Sequence, residues 1–369
     1  MGLLKLQVVR VSVAALLVAS TVALAANSGS RSGPEAADAE VVIAATTTSS
    51  SSTTTTATTL PPTTTTVAPT TAPPPPRPVT TRRPVATTAA RRPAVNAVPK
   101  PLPTGALAEY RGLGAWIDVF DWSNAYTNNQ PGVGAAEVNR MADLGVQTLY
   151  VQAARHDSPS DVQEPERLLP IINQAHARGM RVIVWYLPSL EDVNRDLQRL
   201  LAISRLPVES VAVDIESRAV ADAAERSRRL IDLSHRLRAA LPGRSIGAIV
   251  LPPVVTDVIN KNYWPGFPWH EIIPDYDAWM TMGYWTSRTQ ASGYRDAYRY
   301  TAENIDRLRS NLGLPAAPVH PIGGIGDKTT VADVEAFHRA ATERGVLGGS
   351  LYDYRTTHDA LWAPLQRFR

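Results

Sequence analysis

Between Gly114 and Tyr352, eight short apolar runs alternate with longer amphipathic stretches, and that alternation admits few folds. The β-type runs are Gly114–Val119, Gln147–Gln152, Arg181–Tyr186, Ser210–Glu216, Ser245–Val250, Ala278–Met282, Val319–Ile322 and Gly348–Tyr352. Helical periodicity covers Ala135–Leu144, Arg167–Arg178, Glu191–Leu201, Ala219–Leu241, Tyr294–Leu312 and Val331–Arg344. Gly145, Gly179 and Gly345 stand just past three of these, where a left-handed C-cap belongs. From Leu251 to Tyr276 the chain is rich in proline and aromatics and reads as a long loop with a short helix. Eight β-runs separated by helices match a (β/α)8 TIM barrel, an α/β fold, in number, order and length. A doubly wound open sheet is the competing arrangement.

The barrel does not begin at the first residue. Residues 1–26 carry Lys5 and Arg10, an apolar run from Val11 to Ala26, and the small-residue site Ala23-Leu24-Ala25. This is the pattern of a signal peptide, with an uncleaved N-terminal anchor as the alternative. Residues 27–104 collapse to Ser, Thr, Pro and Ala, with runs such as Thr53–Thr56 and Pro73–Pro76. Such a segment buries too little apolar surface to offset its ordering entropy, so it reads as a disordered, extended linker. All eight tryptophans lie beyond it, and the barrel is expected over 105–369. The expectation is therefore a secreted or cell-surface protein. The chain has no cysteine, and a core of this size needs no disulfides.

The formal net charge of +3 misplaces the weight. Nine Lys/Arg precede residue 105 against only Glu35, Asp38 and Glu40, which leaves the barrel at −3. A mildly acidic domain excludes a nucleic-acid surface as its business. The basic leader and linker allow at most a weak electrostatic association with the cell envelope.

Function in a barrel resides at the C-terminal strand ends and the loops after them. Strand four ends in Asp214-Ile215-Glu216, and alternation points both acids the same way. Crowding raises the proton affinity of one, giving a proton donor beside a carboxylate, as glycosidic cleavage requires. The bland reading is a strand end whose acids cap the next helix. The other ends carry Asp118, Asp121 and Trp122; Gln152 and Arg155; Trp185 and Tyr186; Tyr284 and Trp285; and Asp353. Aromatic rings stack on sugar faces while acids and amides bind hydroxyls, so Trp122, Trp185, Tyr186 and Trp285 are the candidate platforms. Trp116 and Trp279 read as core. Asp353, Gln152 and Arg155 are the candidate polar contacts.

The Asp-x-Glu of strand four, the Met282-Gly283-Tyr284 ending strand six and the Gly348-Gly349 opening strand eight resemble a family 18, chitinase-type glycoside hydrolase. That resemblance implies Glu216 as general acid, Asp214 as the acid that orients and tunes it, and Tyr284 as the group steadying an acetamido substituent. The chain departs from the family pattern elsewhere. Glu209 and Ala212 stand at the first acidic positions of strand four, Trp285 replaces an Asp, and Asp353 replaces an aromatic. Substrate-assisted cleavage of N-acetylglucosamine polymers is thereby left without several of its usual residues. A weaker resemblance to family 25 lysozyme-type muramidases rests on Asp118 in strand one and the same Asp-x-Glu, and adds Asp118 to the catalytic set.

The function expected is a glycoside hydrolase acting on a polysaccharide or peptidoglycan-type glycan, without cofactor or metal. Its seven histidines show no ligand spacing. The alternative is a non-catalytic carbohydrate-binding barrel. A third reading is a phosphate-binding barrel whose Gly323–Gly326 stretch, placed after strand seven, cradles the anion.

Overall fold

The computed structural model describes residues 107–369; the expected signal segment and linker lie outside the described residues. Eight parallel strands form the barrel: β1 (Gly112–Ile117), β2 (Thr148–Gln152), β3 (Arg181–Tyr186), β4 (Ser210–Ile215), β5 (Ile246–Val250), β6 (Ala278–Thr281), β7 (Ile322–Ile325) and β8 (Gly348–Tyr352). The ladder runs β6-β5-β4-β3-β2-β1-β8-β7, and parallel bridges Trp279–Val319 and Met282–Ile322 bring β6 to β7 and close the ring. It is a (β/α)8 TIM barrel, and the open sheet is excluded.

The helices sit close to their predicted places: Ala135–Asp143, Pro165–Ala177, Val193–Ser204, Ala223–Ala240, Ala297–Leu312 and Val331–Glu343. Four of their starts are set by side-chain caps, with Asp192, Asp222, Asp296 and Thr330 each accepting a backbone N–H. Gly145, Gly179 and Gly345 all have positive φ, as the C-cap reading requires. Two short helices, Val119–Trp122 and Asp359–Leu365, were not foreseen. The first shortens strand one. Asp118 leaves the strand and caps that helix, accepting from Phe120 N while Asp121 accepts from Asp118 N.

The N-terminal end of the barrel is plugged. Tyr110 is fully buried there, with its hydroxyl 2.5 Å from Ser210 Oγ. A Cβ at Gly247 would stand 2.8 Å from that hydroxyl, so β5 needs glycine at this point. Above the plug a polar string runs through the barrel. The Tyr110 carbonyl lies 2.8 Å from His320 Nδ1, His320 Nε2 lies 3.1 Å from Ser350 Oγ, and Trp116 Nε1 donates to Ser350 Oγ at 2.8 Å. Burial pushes His320 down to about 4, so the ring is neutral. Nδ1–H therefore donates to the carbonyl and Nε2 accepts from Ser350. That string fixes the floor of the opposite end.

Candidate active site

At the C-terminal mouth the barrel opens into a bowl of about 820 Å³. Its walls follow from strand register. Gln152 pairs with Trp185, Trp185 with Ala212, and Asp214 with Ile249, so these side chains share the inner face. Asp214 lies in β4 and Glu216 just beyond it, and both line the bowl. Burial raises Glu216 to about 7. Burial first, and the nearby Glu216 second, lift Asp214 well above the carboxylate range. Asp214 Oδ1 is buried without a partner among the described residues.

A second acidic group comes from β1 and β8. Ligand oxygens of Asp118, Asp121 and Asp353 lie within 4.8 Å of one another. Asp118 Oδ1 accepts from Phe120 N at 2.8 Å, and its Oδ2 accepts from the Tyr352 hydroxyl at 2.7 Å. Burial raises Asp118 against the pull of those bonds. Asp353 is raised to about 6 by burial and by Asp118, and Asp121 is raised by burial and by both neighbours. Tyr284 lines the same bowl. Burial raises its phenol, and Glu216, Asp214, Asp353 and Asp118 all push in the same direction. Its ring lies 5.8 Å from that of Tyr352.

Of the remaining sequence candidates, Gln152, Arg155 and Trp185 also line the bowl. Gln152 Oε1 accepts from Val119 N, which holds the short helix against the wall. Arg155 is locked in a two-pronged bond to Asp157 at 2.7 and 2.9 Å and stacks over Phe120 and Tyr126. Trp185 is 5% exposed, and its Nε1 is buried without a partner.

Three predicted platforms are corrected. Trp122 is fully buried, and its Nε1 donates to the Gln152 carbonyl; the Asp118 cap turns the chain before this ring can face the mouth. Tyr186 follows Trp185 in β3 and so points to the opposite face, where its hydroxyl donates to Asp196 Oδ1 at 2.6 Å. Trp285 folds under β7 against Phe337, 5.4 Å between rings. This last packing also removes the basis of the phosphate reading. Gly323 and Gly324 belong to the strand itself, and a Cβ on either would meet Trp285 at 2.8 Å. They make room for an indole.

Sequence reasoning missed four rings. Trp116, assigned to the core, is the bowl's floor, stacked on Tyr150 at 4.2 Å and held by Ser350. Tyr352, Phe120 and Tyr126 line the walls. Inward alternation in β1 and β8 would have found Trp116 and Tyr352. No spacing marks Phe120 or Tyr126, which depend on the capped helix and its loop.

No family model and no curated protein matches this sequence. Among solved structures, the spore cortex-lytic enzyme SleL of Bacillus cereus is similar at TM-score 0.52 and 10% identity, over 69% of this chain and 73% of that one. A GH18 chitinase from Cycas revoluta in complex with (GlcNAc)4 is similar at TM-score 0.52 and 11% identity, over 70% and 99%. A GH18 chitinase from Pseudoalteromonas aurantia gives TM-score 0.50 and 12% identity, over 70% and 100%. The chain is a TIM barrel distantly like that of family 18. Trp279 is core, as expected, at 2% exposure.

Proposed function

We propose that this protein is a glycoside hydrolase acting on a polysaccharide or cell-wall glycan. The observation that carries the reading is a carboxyl, Glu216, holding its proton to about 7 inside a ring-walled bowl, with a second acidic group in the same bowl. Glu216 delivers its proton to the glycosidic oxygen and then removes one from water. Asp214 tunes it from two residues away. Asp118, held by Tyr352, supplies negative charge to the oxocarbenium-like centre as the bond breaks. Trp185 and Trp116 offer faces to the sugar, and Tyr284 orients it. The similar structures support a glycan ligand, one being a cortex-lytic enzyme and another a chitinase holding (GlcNAc)4. Under this reading the signal segment and linker place the barrel outside the cytoplasm, spaced from the cell surface.

The test is reducing-end release from a panel of glycans by the whole chain and by Glu216→Gln. The enzyme reading requires turnover that the substitution cuts about 10²–10⁴-fold while binding persists. A carbohydrate-binding barrel instead binds equally in both forms and releases nothing.

A further inference from the structure

The bowl is lined by six acidic side chains against Arg155, Lys328 and Arg355. Arg155 is neutralised by Asp157, and Lys328 is an exposed rim residue next to Asp327. Arg355 lies against Gly132 and draws down both Asp353 and Asp121. Arg155, shared with Asp157, also draws down Asp118, so one full cation and part of a second serve the three carboxyls of Asp118, Asp121 and Asp353. The site is therefore short of positive charge.

Two further polar atoms belong to residues of the same bowl. Asp214, 7% exposed, and Trp185, 5% exposed, both line it and each buries a polar atom without a partner among the described residues. Tyr284 lines the same bowl and feels Asp214, Glu216, Asp118 and Asp353 together.

The free valences decide what kind of cation fits. Four of the triad's six carboxylate oxygens already accept a hydrogen: both of Asp118, Oδ2 of Asp121 and Oδ1 of Asp353. Asp121 Oδ1 and Asp353 Oδ2 remain. To bind here, calcium would have to fill most of its roughly six to eight positions with water or with oxygens that already accept a hydrogen. An ammonium, with three N–H donors and one charge, is matched by two carboxylate oxygens and one further acceptor.

Building on the glycosidase reading, we infer that the glycan carries a free amine, whose ammonium seats against Asp121 Oδ1 and Asp353 Oδ2, beside Asp118. The substrate class is then a polymer containing de-N-acetylated amino sugar. An acetylated nitrogen has lost the charge the triad attracts, and a plain hydroxyl never had it.

The test is calorimetry on the full-length Glu216→Gln variant, which leaves the triad intact and the glycan uncut. Tetrasaccharides of glucosamine and of galactosamine are compared with their N-acetylated forms at about pH 6, where the amines are charged and Asp353, raised to about 6, is partly protonated. One amine form is expected to bind about tenfold or more tighter than its acetylated counterpart. Adding Asp353→Asn removes that preference and leaves weak binding of the acetylated form. Without touching the triad, buffers of different ionisation enthalpy should reveal proton release on binding of the amine. The inference is overturned if acetylated forms bind as well, if the preference survives Asp353→Asn, if no protons are released, or if calcium chloride alone binds tightly and blocks the amine. Glu216-dependent cleavage of only neutral or acetylated glycans would sink this inference while sparing the glycosidase reading. Failure of every glycan to bind or be cut would sink both.

Discussion

Tyr352 donates its phenolic hydrogen to Asp118 Oδ2 at 2.7 Å, bonding the end of the eighth strand to the acid that follows the first. The β1–β8 ladder pairs only Gly112 with Gly348 and Leu113 with Gly349; towards the mouth the seam is held by Tyr354 N donating to the Trp116 carbonyl at 3.0 Å and by side chains. The bond opposes the burial that raises Asp118. In Tyr352→Phe the Asp118 carboxyl should titrate at higher pH, visible by carbon-13 NMR of labelled aspartate. A hydrogen bond to a charged acceptor contributes about 1.5–3 kcal/mol, so turnover should fall about tenfold or more. An unmoved titration with undiminished turnover would remove Asp118 from the site.

Turnover should follow a bell in pH. The acid must hold its proton, and Glu216 loses it through about 7, so activity falls above that point. Asp353 must be ionised to support positive charge, and it gains its proton through about 6, so activity falls below. Glu216→Gln should cost about 10²–10⁴-fold in kcat and erase the alkaline limb. An alkaline limb that persists in that variant would assign the proton to another group.

Legibility from sequence tracked one property, side-chain alternation in strands that run to full length. Asp214 and Trp185 obey it, Glu216 keeps the same period one residue past β4, and all three reached the bowl. Tyr186 fails by the same rule, since neighbours in a strand cannot share a face. Trp122 and Trp285 lie just past strand ends, where the chain has left the period of two. There the Asp118 cap and the narrow glycine pair of β7 decide direction, and both are visible only after packing. Asp353 joins Asp118 and Asp121 because β8 neighbours β1 in the closed ring, a contact separated by more than two hundred residues.

Trp185→Phe separates binding from folding. The indole N–H is buried without a partner, so its removal leaves no native bond broken. A neutral hydrogen bond is worth about 0.5–1.5 kcal/mol, and glycan affinity should drop roughly 3–10-fold with little change in Tm. Unchanged affinity by calorimetry would show that Nε1 does not meet the sugar.

Ser350→Ala should act the other way. Its hydroxyl serves Trp116 Nε1 and His320 Nε2 together, and both are deep in the barrel. Losing it leaves two buried polar atoms unsatisfied, each costing about 1–3 kcal/mol. Urea unfolding should show a lowered midpoint, and the released Trp116 floor should weaken glycan binding as well. A midpoint matching the parent would mean that water or a rearranged His320 replaces the hydroxyl.

Stability should also decline as pH rises through the weakly acidic range, opposite to an ordinary surface carboxylate. Glu216 holds its proton to about 7 in the folded chain against an ordinary 4.5, so between those values the folded state binds more protons than the unfolded. Its contribution is whole below the lower value and is lost as pH climbs through the upper one. Asp353, raised from 3.8 to about 6, adds the same sign over a lower window. Salt-bridged acids such as Glu225, lowered to about 2 by Arg228 and Arg229, titrate outside this window. His320, lowered from 6.5 to about 4, pulls the other way between those values, and the two raised acids outweigh it; Tm at about pH 5 should therefore exceed Tm at about pH 8, and Glu216→Gln should remove that excess. Identical pH–Tm curves for parent and variant would mean that Glu216 ionises freely in the folded chain, and a Glu216 already ionised near neutrality has no proton to give the glycosidic oxygen.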